Sequence, residues 1–98
     1  MTIKDDKDET TNKEMFTTVC RALSNPIRLR IIEHLKEIDH CVCGEIVDIL
    51  PLAQSTVSQH LKNLKDAGLI RGEVEGPSTC YCLNRKMFDK FKKMVQVL

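Results

Sequence analysis

At 98 residues the chain makes one small domain with a limited capacity to bury its own surface. Charged residues make up 30% and the formal net charge is +1, which excludes a strongly basic, histone-like binder. No apolar run approaches the ~20 residues of a membrane span and the N-terminus lacks an apolar signal core, so a cytoplasmic protein without a membrane partner is expected.

Residues 1–12 are polar, without apolar periodicity, and read as a flexible tail; residues 13–98 read as the folded domain. From Lys13 to Leu23, Met15, Phe16, Val19 and Leu23 fall at helical spacing. Ser24-Asn25-Pro26 stops that helix and starts another, with Asn25 as N-cap and Pro26 at the first helical position. Ile27, Ile31 and Leu35, widened by Leu29 and Ile32, carry it to about Glu37. Residues 38–43 leave room for a short extended piece, and Gly44–Leu50 reads as a short helix. Pro51-Leu52-Ala53 is a turn. Val57, Leu61, Leu64 and Ala67 then stripe a helix from Gln54, which Gly68 ends as a C′ residue. Leu69–Glu75 and Thr79–Leu83 are strands about Gly76-Pro77-Ser78, a hairpin signal. Met87, Phe88, Phe91, Met94, Val95 and Leu98 return to helical spacing from Arg85 onward. The expected fold is mainly α with a small β-hairpin wing, a winged helix-turn-helix.

The helix from Gln54 has a polar side opposite its apolar stripe. Gln54, Ser55, Ser58, Gln59 and Lys62 lie there, with Thr56, His60 and Asn63 on the flank. Short hydrogen-bonding groups near a helix N-terminus suit the major groove, where Gln pairs with adenine through two hydrogen bonds. Lys62 and Lys65 suit phosphates, and Arg71 suits a backbone or minor-groove contact from the wing. Double-stranded DNA is the expected partner.

Leu23-Ser24-Asn25-Pro26-Ile27-Arg28-Leu29-Arg30-Ile31-Ile32 resembles the second-helix signature of the ArsR/SmtB repressors. Residues 54–70, Gln-Ser-Thr-Val-Ser-Gln-His-Leu-Lys-Asn-Leu-Lys-Asp-Ala-Gly-Leu-Ile, resemble their recognition helix and its exit, and Tyr81 and Leu83 match the second wing strand. The resemblance spans about residues 13–98. It implies a bacterial cytosolic homodimer, paired through its first and last helices. It also implies binding to an imperfect inverted repeat and repression relieved by a ligand. Ala53 departs from the hydroxyl N-cap common in the family, and loss of a cap costs roughly 1 kcal/mol.

Two cysteine pairs bracket the DNA reader: Cys41-Val42-Cys43 and Cys80-Tyr81-Cys82. Residues two apart in a strand share a face. A strand at residues 40–43 beside strand 79–83 would turn Val42, Tyr81 and Leu83 inward. Cys41, Cys43, Cys80 and Cys82 would then face outward together, since opposed β-carbons on adjacent strands lie about 4.5–5.5 Å apart. Three thiolates match As(III) or Sb(III); four match tetrahedral Zn or Cd, with Pb a further soft candidate. Cys41-Val42-Cys43 also resembles the core of the family's arsenic- and cadmium-type sensors. Ile46 stands where one arsenic type has a third cysteine, and residues 1–19 offer no cysteine of the kind that cadmium/lead sensors recruit from an N-terminal arm. The last helix offers Asp89 and no histidine for a zinc site of another type.

The reading is a metal- or metalloid-responsive repressor with no obligatory cofactor, released from its operator when the thiols bind an inducer. The alternatives are a thiol-redox repressor and a regulator whose cysteines are structural only. Cys20 reads as core filler, His34 as a helix-surface residue and His40 as a loop residue. An enzyme is not expected, because no glycine-rich phosphate loop and no arranged Cys/His pair occurs.

Overall fold

Asn25 and Pro26 divide the first two helices, and the division is hydrogen-bonded from both sides. In the computed structural model, which describes residues 3–38, 41–43, 50–75 and 78–98 (3–11, 43, 74, 75 and 78 by backbone alone), α1 spans Ile3–Leu23 and α2 spans Pro26–Glu37. The Asn25 side-chain oxygen accepts from the backbone N–H groups of Ile27 at 2.8 Å and Arg28 at 3.2 Å, satisfying donors that a helix start leaves orphaned. Arg28 Nε donates to the Ala22 carbonyl at 2.6 Å, closing the C-terminal turn of α1.

Helix α1 begins at Ile3, which replaces the expected tail over residues 3–12 with helical backbone. The segment holds no glycine or proline. Nothing local interrupts propagation, and extending a helix is far easier than starting one. Cys20 is exposed on α1, not in the core, because Val19 takes the inward position beside it. Leu29 is likewise exposed, leaving the buried stripe of α2 to Ile31, Ile32 and Leu35. The expected helix at 44–50 lies outside the described residues, apart from buried Leu50.

Helix α3 spans Gln54–Asp66 and roots itself through Val57, Leu61 and Leu64. Gly68 ends it at φ +82°, where its N–H donates to Lys65 and the Leu69 N–H donates to Leu64. This double closure satisfies the last carbonyls. A β-carbon at Gly68 would also meet the Met87 methyl at 3.2 Å.

Strands β1 (Val42–Cys43), β2 (Ile70–Glu75) and β3 (Ser78–Leu83) form an antiparallel sheet in the order β1-β3-β2. One face carries Val42, Ile70 and Leu83 into a core shared with Val19, Ile31, Leu35, Val57, Leu64 and Leu69. Full burial of each such side chain contributes about 1.5–3 kcal/mol. Helix α4 (Arg85–Gln96) closes the fold, with half-buried Met87, Phe88 and Phe91 against the core and the Phe91 ring 5.2 Å from that of Phe16. The arrangement is a winged helix-turn-helix.

Candidate nucleic-acid interface and thiol centre

The apolar root of α3 decides what the helix presents. With Val57, Leu61 and Leu64 buried, Gln54, Ser55, Thr56, Ser58, Gln59, Lys62 and Lys65 are all exposed. Ala53 precedes them in an extended conformation with no side-chain cap; its carbonyl accepts from Thr56 and Val57. Lys62 lies 3.5 Å from Asp66 in an exposed pair, which holds it only weakly. His60 differs from its neighbours. It is half-buried, and its Nδ1 is enclosed without a hydrogen-bond partner among the described residues, as is Nε2 of His34 on α2.

The wing sits beside this surface. Gly72 on β2 faces Tyr81 on β3, and a β-carbon there would lie 3.5 Å from the Tyr81 ring and 3.6 Å from Lys65. The missing side chain lets the Tyr81 ring and the Lys65 stem approach the strand. Arg71 is exposed on the other face of β2, opposite Cys82.

That other face carries the cysteines. The β1–β3 register sets Val42 against Tyr81 and Cys43 against Cys80, and Cys41 is disulfide-bonded to Cys82 with their α-carbons 4.4 Å apart. Cys80 is disulfide-bonded as well. Cys41 is exposed, but Cys80 and Cys82 are 3% and 6% exposed, so the expectation that these two face outward to solvent is corrected. They lie on β3, the central strand, with a neighbouring strand on each side. The side chain of Cys43 lies outside the described residues, as does His40. Among the described residues no group of three metal-ligating side chains is assembled.

Charge distinguishes the two cysteine rows. Arg71 flanks Cys82 and Glu73 flanks Cys80. Cys41 and Cys82 line a cleft of about 420 Å³ with Arg71, Arg85 and Lys86, and no carboxylate occurs among its described lining residues.

Comparison with known proteins identifies the frame that carries these surfaces. A profile of the bacterial regulatory protein, arsR family, matches residues 25–71. Over 63 residues the chain is 48% identical to the HTH-type transcriptional repressor SmtB of Mycobacterium tuberculosis, a match covering 64% of this chain and 46% of that one. The chain thus spans just under half of that relative. It is 28% identical over 83 residues to the arsenical resistance operon repressor of Staphylococcus xylosus, covering 85% of this chain and 79% of that repressor. The crystal structure of an ArsR family transcriptional regulator superposes with a TM-score of 0.75 at 19% identity, covering 86% of each chain. The chain belongs to the ArsR/SmtB family.

Two residues of this ArsR/SmtB chain that position the site have only weak local signals. Asn84 caps α4 by accepting from Met87 N–H at 3.2 Å, while its amide donates to the Gly68 carbonyl at 3.0 Å. An asparagine just before a helical stripe is a signal for the first bond but not for the second. Arg85 donates to the Ile38 carbonyl at 2.8 Å, holding the end of α2 beside β1. That contact spans 47 positions, and no local pattern encodes it. Among the described residues, no helix is long and apolar enough to cross a membrane.

Proposed function

We propose that the chain is an operator-binding repressor whose DNA affinity is set by Cys41, Cys43, Cys80 and Cys82, with a thiophilic metal or metalloid, arsenite or antimonite first, as inducer. The observation that carries this reading is the β1–β3 register, which sets Cys41 beside Cys82 and Cys43 opposite Cys80 on one sheet face. In the reduced protein, that spacing offers three or four thiolates to one soft ion. Arg71 is the cross-strand neighbour of Cys82, so a change at the sulfurs reaches a wing residue suited to the DNA backbone. The similarity to an arsenical resistance operon repressor supports the same ligand class.

The DNA surface in this reading is Gln54, Ser55, Thr56, Ser58, Gln59 and His60, with Lys62, Lys65 and Arg71 on phosphates. The operative unit is a homodimer on an imperfect inverted repeat, in the cytoplasm. No residue of α4 is fully buried within one chain, and Val95, Val97 and Leu98 are exposed, leaving apolar surface for a second copy. A second reading, thiol-redox control, is favoured by the Cys41–Cys82 disulfide. Titrating reduced dimer on operator DNA with arsenite, cadmium and zinc, and separately with peroxide, tests both. Release by an ion at stoichiometric ratio, reversed by competing dithiol, is expected for the first reading. Release by peroxide alone would defeat it in favour of the second.

A further inference from the structure

The two cysteine rows are not chemically equivalent. Cys80 stands opposite Glu73, whereas Cys82 stands opposite Arg71 and shares its cleft with Arg85 and Lys86. Within the disulfide, Cys41 is exposed and Cys82 is buried. Attack at the more exposed residue, Cys41, makes Cys82 the leaving group. The cleft has a volume in the range of small-molecule sites.

We infer that this cleft is a binding site for an anionic low-molecular-weight thiol, one bearing a carboxylate, which exchanges with the Cys41–Cys82 disulfide. Arg71 and Lys86 hold the carboxylate, while Arg85 stays on the Ile38 carbonyl. The ligand's thiolate attacks the Cys41 sulfur, its electron pair forming a new S–S bond. The Cys41–Cys82 bond breaks, and its pair leaves on Cys82 as a thiolate. One disulfide is exchanged for another, so no oxidant or reductant beyond the ligand thiol is needed. The bound carboxylate, and not the Cys82 thiolate, then occupies Arg71 and keeps its guanidinium from DNA phosphate. This last step rests on the repressor reading above; the site itself does not.

The test uses oxidised full-length protein in a Cys20→Ser background, with mercaptopropionate as the anionic probe and mercaptoethanol as the neutral one. Rates of mixed-disulfide formation are followed by intact mass and compared per unit of thiolate. The anionic thiol is expected to react about tenfold faster or more, as same-sign clefts steer opposite charges. The adduct is expected on Cys41. The preference is expected to collapse in Arg71→Gln/Lys86→Gln, two exposed positions, and in ~1 M salt, where the screening length is about 3 Å. Equal rates for the two thiols, a preference retained in the variant, or a preferred adduct on any cysteine other than Cys41 overturns the proposal. Operator affinity of the isolated adduct is measured separately. A Cys41 adduct formed with the expected preference but binding operator unchanged upholds the site and defeats the thiol-controlled repressor. Operator binding that follows reduction by both thiols at equal rates does the reverse.

Discussion

Helix α3 and the cysteine edge of the sheet are both short and both carry chemistry, exposed on the helix and largely buried on the sheet, and they are built from opposite kinds of information. Helix α3 is local. Its three buried residues recur at positions 57, 61 and 64, its end is marked by Gly68, and its exposed face follows from those four. The cysteine edge is assembled from residues 41 positions apart in the chain, through a two-residue strand. Disturbing α3 should therefore be felt as lost stability or lost DNA reading. Disturbing the edge should be felt as lost response with the reading surface intact.

The largest expected effect strikes the root of α3. Leu64→Ala removes a fully buried side chain and should cost about 3 kcal/mol, within the usual range for such truncations. Urea unfolding monitored by circular dichroism checks it; a loss under about 1 kcal/mol would mean that the root does not anchor the helix. Next comes the edge. Cys41→Ser/Cys43→Ser should abolish the inducer-linked change in operator affinity, which in allosteric proteins typically amounts to about 1–3 kcal/mol. Affinity without inducer should stay unchanged. Normal DNA release by this variant on arsenite and cadmium would sink the thiol reading.

Within α3 the comparison sharpens further. Gln59→Ala should alter preference at one base position of each half-site, at a cost of about 1–3 kcal/mol for the preferred base. Lys62→Ala should instead weaken binding to every sequence and lower the salt slope by about 1. Competition binding against a randomised half-site library separates these outcomes. The smallest effect is a gain. Ala53 caps α3 without a side-chain bond, and its backbone is already extended, so Ala53→Ser should stabilise the protein by about 0.5–1 kcal/mol. Thermal melting would show this as a rise of a few degrees.

The same division explains what could be read from the amino acids. The α1–α2 junction, α3 and the hairpin strands carry punctuation: Asn25-Pro26, Gly68 and alternating apolar residues. Their boundaries are accordingly legible to within a residue or two. Helix α1 is not, because its first ten residues are polar apart from Ile3 and give neither a stop signal nor an apolar period. The inward and outward sides of β1 and β3 follow from alternation, with Val42 and Leu83 buried. The burial of Cys80 and Cys82 does not, since alternation assigns a face and says nothing of what covers it. That depends on β3 being the middle strand. Cys20 fails for a related reason: a small apolar residue beside Val19 fits either side of a helix until the register of the neighbouring turns is known.

Asn84 joins parts that the chain otherwise keeps separate. Its amide holds the carbonyl at the exit of α3, its carbonyl oxygen holds the first turn of α4, and its backbone N–H reaches the Leu69 carbonyl at 2.8 Å. The two helices are thus pinned at one hinge point, with the Met87 methyl wedged under Gly68. Asn84 is a shared anchor of both helices, and Asn84→Ala, which removes two of the three bonds, should loosen the start of α4 and the exit of α3 together.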